Sequence, residues 1–427
     1  MTDICTYANN FSFKSSYQIG VVDATIANLK TKKLSDESIA ISFTAAVGED
    51  GTIFNTDKTP KSFSSAREYG TLRVRWWDTY FQKESQTLWY TTLTRTVVTG
   101  GSVKYAFSEK GLVNALAGTD IEFPAIPMDP MGVESYDISE SGIFLSTFDP
   151  EVNLADELSS VLWYIPIADY NDPPSGELYK FGKIGSDKFF SNPILSPDGK
   201  SAAFLVTESV MKAIEYMRIF IVRSMDHPND IVEVTPVFNN NTEKPWDLVP
   251  GSLLFSADKS ELYILANQRA RNRLWKVDLS KVTKTSSKVI STLVWGGDGS
   301  VSALHRLPCK DKNAKLLITR TSLVDDGTTY ILDSATNNIS FTWSPTSSGR
   351  MLGLKRAMVE EINFKGDGEY DVQAWVVKPP DFDAKKKYPL ALLVHGGPND
   401  IWGDAWSTRW NASLWAGQGY VTVLPNP

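Results

Sequence analysis

Cysteine and histidine are scarce in this sequence: two cysteines, Cys5 and Cys309, and three histidines, His227, His305 and His395, among 427 residues. Residues so far apart do not have the close spacing of metal-ligand or redox motifs, so neither a structural metal nor a cofactor is expected. Long apolar runs are missing as well. Stretches such as Leu390–Val394 and Ile219–Val222 fall far short of the roughly 20 residues that a membrane-spanning helix needs, so no membrane partner is expected. Basic charge is not in excess either, with 43 Lys and Arg against 50 Asp and Glu and a net charge of -7. Nucleic-acid binding needs basic patches, and this balance argues against it. The opening residues, MTDICTYANNFSF, contain neither the charged nor the apolar region of a signal peptide. Sequons at Asn10, Asn240, Asn338 and Asn411 would suit a secreted surface, although so short a motif recurs by chance.

What the chain does have is aromatic β-forming sequence. Trp, Tyr and Phe number 13, 16 and 20, and 42% of residues are hydrophobic, enough to pack a large core over two or three domains. Four segments share an apolar residue, a serine, a short polar turn and a β-rich run: "LSDESIAISF" at Ser35, "ISESGIFLSTF" at Ser139, "LSPDGKSAAFLV" at Ser196 and "FSADKSELYIL" at Ser256. Polar turns of this kind between apolar runs signal hairpins. A second element follows in the same phase, starting at Leu88, Leu162, Ile219, Leu274 and Tyr330. The common period is about 56 residues, which is the signature of a β-propeller, with a β-sandwich as the competing architecture.

At Met351 the pattern changes. Two strands separated by a Gly-rich turn, a linker with Pro379 and Pro380, and a strand Leu390–Val394 read as buried on both faces lead into His395, Gly396, Gly397 and Pro398. Beyond lies a helix over 407–418, with Trp406, Trp410 and Leu414 expected to form its apolar face, and a last strand, "YVTVLPNP". Strand, helix, strand after an antiparallel pair is how an α/β-hydrolase sheet opens. A glycine pair after such a strand can aim backbone N–H groups at an oxyanion, and the chemistry then requires a nucleophile in a G-x-S-x-G elbow. These residues contain none. Ser102, Ser252 and Ser300 follow glycine but have the wrong flanks. His395 also comes too early to be the base of a hydrolase triad, whose order is Ser, acid, His, so it is read as shaping the loop. His227 and His305 are read as residues of the repeats.

The order of "LRVRWWDTYF", "SPDGKSAAF", "NRLWKVD", "YDVQAWVVKPPDFD" and the His-Gly-Gly-Pro strand resembles the prolyl oligopeptidase family of serine peptidases, and within it the secreted fungal dipeptidyl-peptidase branch. The resemblance implies a mainly β chain: a β-propeller over 1–350, with about five of seven blades, and the first strands and helix of an α/β-hydrolase domain over 351–427. It implies a secreted serine exopeptidase releasing dipeptides from peptide N-termini with a Ser-Asp-His triad, short peptides as partners, and an oxyanion loop at His395, Gly396, Gly397 and Pro398. Set against the family, the chain reads as shortened at both ends, with the triad beyond residue 427. Trp76 stands where the family has histidine in "RWWD". The alternative is a non-catalytic propeller acting as a binding or scaffold module. Oligomeric state is left open by the sequence.

Overall fold

The computed structural model describes residues 18–59, 63–70, 74–76, 79–82, 84–97, 103–123, 135–153, 159–181, 188–207, 217–234, 237–239, 248–284, 289–307, 315–397 and 400–427. Cys5, Cys309, Ser102, Pro398 and residues 77–78 lie outside that set. The chain is mainly β, with its sheets chiefly antiparallel. The described residues divide into two compact units, one made of those up to 234 with 283–284, the other of those at 237–282 and from 289 onward.

The first unit holds three successive antiparallel sheets. Its first sheet begins with β1 (Ala27–Lys33) and β2 (Ser38–Ala46); a two-stranded ribbon, β3 (Arg75–Trp76) and β4 (Thr79–Tyr80), follows; β5 (Gln86–Val97), β6 (Val103–Phe107) and β7 (Val113–Asn114) complete the sheet. The second runs in order through β8 (Tyr136–Ile138), β9 (Gly142–Phe148), β10 (Ser160–Pro166) and β11 (Tyr179–Lys180). The third is β12 (Phe189–Leu195), β13 (Ala202–Thr207), β14 (Arg218–Val222) and β15 (Ile231–Glu233). Aromatic residues fill the space between the second and third. Phe144, Phe190, Phe204 and Phe220 are all buried in one cluster, with Phe204 and Phe220 stacked at 5.8 Å. Each such side chain contributes about 1.5–3 kcal/mol by leaving water.

In the second unit, β16 (Val237–Asn239) adds in parallel to β20 (Val289–Trp295) of a sheet that also contains β17 (Pro250–Phe255), β18 (Glu261–Asn267) and β19 (Asn272–Asp278). Next comes an antiparallel sheet of β21 (Ser300–Arg306), β22 (Lys315–Ser322), β23 (Asp325–Asp333) and β24 (Ile339–Trp343).

Both repeated signals of the sequence have a structural meaning. Ser35, Ser139, Ser196 and Ser256 each sit in the turn joining the first two strands of an antiparallel run, and each donates its N–H across that turn, to Ser38, Gly142, Ser201 and Glu261 respectively. Two of the turns are bonded alike: Ser196 Oγ donates to Asp198 (2.7 Å) and accepts from Ser201 N (2.9 Å), and Ser256 Oγ does the same with Asp258 (2.7 Å) and Glu261 N (2.9 Å). The second signal marks the third strand of such a run: Leu88 in β5, Leu162 in β10, Ile219 in β14, Leu274 in β19 and Tyr330 in β23. The period is therefore the spacing from one sheet to the next.

The last sheet has order β25-β26-β28-β27, from β25 (Val359–Lys365), β26 (Asp371–Val377), β27 (Leu390–Leu392) and, after helix α1 (Ala412–Gly417), β28 (Val421–Asn426). β25, β26 and β28 pair antiparallel, while β27 and β28 are parallel and are joined by the helix. Two local expectations need correction. Leu390–Val394 is not buried on both faces: β27 lies at the sheet edge, Ala391 is buried, and Leu390, Leu392 and Val394 are 63%, 57% and 73% exposed. The helix is also shorter and turned differently. Ser407 Oγ accepts from Arg409 N and Trp410 N and holds that segment as a turn, and Asn411 caps the helix by accepting from Ser413 N at 2.8 Å. The face that packs inward is small, Ala412, Ser413 and Ala416, leaving Trp410 and Leu414 exposed.

Candidate functional site

The glycine turn begins where β27 leaves the sheet. Leu393 N still donates to Val423 O at 2.9 Å, and the Leu393 carbonyl accepts the indole N–H of Trp402 at 2.8 Å. One ring thus pins the strand end from the other side of the loop. Trp402 is itself fixed by its N–H to Asn426 Oδ1 (2.6 Å) and by its carbonyl, which accepts from Trp375 Nε1 (2.8 Å) and Asn426 Nδ2 (3.0 Å).

Between these anchors stand His395, Gly396 and Gly397. His395 Nδ1 lies 2.8 Å from the Gly396 carbonyl oxygen, so the tautomer that fits carries its proton on Nδ1. Its Nε2 is shielded from solvent with no hydrogen-bond partner among the described residues. The imidazole is thereby tied to its own turn. The glycines differ from each other. Gly397 has φ +121°, a conformation that side-chain-bearing residues avoid, whereas a Cβ on Gly396 would meet nothing within 4 Å. Both are exposed, and among the described residues neither N–H has a backbone acceptor. The turn therefore presents two exposed backbone N–H groups beside the edge strand of the last sheet.

The other flagged residues lie elsewhere. His227 occupies the turn between β14 and β15, where its N–H donates to Ser224 O, and His305 lies in β21. Ser300 is buried and accepts from Asn272 N, while Ser252 is exposed in β17. None of these adjoins the glycine turn in the chain.

The sequence reading missed one buried and heavily bonded acid. Asp404, two residues past Trp402, is fully buried. Its Oδ1 accepts from Leu323 N (3.1 Å), its Oδ2 from Gly299 N (3.1 Å), and Arg356 Nη1 reaches both oxygens at 3.2 and 3.1 Å. Arg271 completes the group, with Nε 3.6 Å from Asp404, Nη2 2.8 Å from Glu361 and its guanidinium 4.5 Å from the Trp375 ring centre. The alternating arginines of "RARNR" (269–273) were the available signal. Burial, together with the Arg271 and Arg269 cations, lowers the pKa of the third, Arg273, which donates to Gly296 O.

No family model matches the chain. Among curated proteins it is 29% identical over 424 residues to Dipeptidyl-peptidase 5 of Trichophyton schoenleinii, covering 97% of this chain and 54% of that protein. It is 29% identical over 426 residues to Probable dipeptidyl-peptidase 5 of Aspergillus clavatus, covering 97% and 55%. The chain therefore spans about half the length of the curated relatives it matches. Among solved structures, the acylaminoacyl peptidase of Pyrococcus horikoshii shares the fold, with a TM-score of 0.55 at 13% identity over 94% of this chain and 51% of that one. The likeness thus runs along nearly all of this chain: it is similar in sequence to fungal dipeptidyl-peptidases 5, in keeping with its motifs, and similar in fold to an acylaminoacyl peptidase.

Proposed function

We propose that this chain supplies the β-propeller, over 1–350, and the opening part of the α/β-hydrolase domain, over 351–427, of a secreted serine exopeptidase that releases dipeptides from peptide N-termini. The observation that carries the reading is that likeness to proteins named dipeptidyl-peptidase 5 covers 97% of this chain, and so takes in both the sheet array and the glycine turn. Gly396 and Gly397 then provide backbone donors to the oxyanion of the tetrahedral intermediate, with His395 and Pro398 shaping the turn. Such donors act when they lie about 2.7–3.1 Å from the developing charge and need no reorganisation to reach it. Short peptides with a free amine are the substrates, and the extracellular space is the place of action.

The absence of G-x-S-x-G from these 427 residues favours a second reading, a propeller that binds peptides without cutting them. On either reading, the 427 residues alone do not hydrolyse peptides. Calorimetry with a short peptide carrying a free N-terminus and with its N-acetylated twin tests the reading, alongside a dipeptide-nitroanilide assay and fluorophosphonate labelling. Binding that needs the free amine, with no turnover and no label, is expected. Equal binding of both peptides, or none, overturns the dipeptidyl reading; a labelled serine within this chain overturns the claim that these residues lack the nucleophile.

A further inference from the structure

We propose that Asp404 is a positioning residue for the glycine turn: it fastens the far end of the Leu393–Asp404 loop to the tips of the neighbouring sheets, so that the directions of the Gly396 and Gly397 N–H groups are set from outside their own sheet. The importance of those directions rests on the oxyanion reading above; the fastening itself does not.

The near end of the loop is held within the last sheet, through Leu393, Trp402 and Asn426. Asp404 reaches a different set of partners. Its N–H donates to Ala270 O (2.7 Å) in the β18–β19 turn, and its carboxylate accepts from Gly299 N, before β21, and from Leu323 N, in the β22–β23 turn. These attachments continue down the chain, where Trp406 N donates to Thr321 Oγ1 (3.3 Å) and Ser413 Oγ to Leu323 O (2.7 Å). The receiving backbone is shaped for contact: Gly299 has φ +79°, and a Cβ there would come within 2.3 Å of Thr321 O.

The charge has a role of its own. A buried carboxylate is expensive unless paired and fully hydrogen-bonded, and here Arg356 and Arg271 meet it while both guanidinium groups also lie over the Trp375 ring, at 5.8 and 4.5 Å. Trp375 in turn donates to Trp402 O, the residue that closes the loop. Asp404 is therefore linked to Leu393, where the turn begins, through its arginines, Trp375 and Trp402.

The test is Asp404→Asn in the 427-residue chain labelled with 15N-glycine and 15N-indole tryptophan. Asparagine keeps the volume but loses the charge and turns an amide donor toward donors. We expect the Gly396, Gly397 and Trp402 indole resonances to shift or to broaden at least twofold while glycines of the first unit stay in place, the Trp402 signal being identified with Trp402→Phe. Arg356→Gln, which leaves the buried carboxylate itself in place, should move the same signals less, and Arg356→Lys should restore them. If Asp404→Asn does not fold, Arg356→Gln decides alone. Loop resonances unmoved in the folded variants, or changes spread evenly over all glycines, overturn the inference. Failure of the peptide-binding test with these resonances coupled would overturn the functional reading and leave the positioning intact.

Discussion

Trp375→Ala removes the largest side chain at the centre of the last sheet, and the structure sets what that should cost. The indole is fully buried against Val377, Ala412, Ala416 and Leu424, a shell of small and medium residues attached to a helix and two strands. A large aromatic cut to alanine in such a place costs about 3–5 kcal/mol, because the surroundings collapse only in part. The lost hydrogen bond to Trp402 O adds little, since Asn426 Nδ2 still donates to that carbonyl. Trp375→Phe separates these terms: it keeps most of the apolar area and a ring face for Arg271, and should cost about 1–2 kcal/mol. At roughly 2–4 °C per kcal/mol for a body of this size, thermal melts should fall by about 6–20 °C for alanine and about 2–8 °C for phenylalanine. Equal losses for the two variants would show that the hydrogen bond, not the packing, holds the site. A loss below about 1 kcal/mol for alanine would refute the assignment of this core, given the usual range for buried aromatics.

Two further outcomes are expected. At Asp258, burial on its own would raise the carboxyl pKa, but hydrogen bonds from Ser260 and Ser256 outweigh it and hold the folded value below the ordinary 3.8. A lowered folded pKa gives stability that is present above 3.8 and lost as pH falls through the folded value, so acid titration of the melting temperature should steepen below about pH 4, and Asp258→Asn should flatten that slope. The exposed row Leu390 and Leu392 on β27 with Val394 just beyond it should drive association of the chain, and Leu392→Lys with Val394→Lys should shift light scattering toward monomer; no change would place the sticky surface elsewhere.

The repeats were legible because each signal has one local cause. Ser196 and Ser256 close hairpins by bonds within five residues, and runs such as Leu274–Asp278 are third strands with neighbours on both sides, so sequence and structure keep the same phase. The succession of the last elements along the chain, an antiparallel pair and then strand, helix and strand, was legible as well. The helix was not: periodicity pointed to Trp406, Trp410 and Leu414, but Ser407 and Asn411 spend their side chains on backbone donors and delay the helix start, which brings the alanine face inward. Nor was Leu390–Val394, since an apolar run does not say whether a second neighbour covers it. Asp404 was hinted at only by the arginines of 269–273, because its other partners, Gly299, Leu323 and Arg356, are brought to it only by the tertiary fold.

The dipeptidyl-peptidase reading is tested most directly by comparing binding of a free-amine peptide with that of its N-acetylated counterpart. The account predicts a calorimetric signal for the free amine that acetylation weakens at least tenfold, about 1.4 kcal/mol. Equal affinity for the two peptides, or affinity for neither, would contradict it.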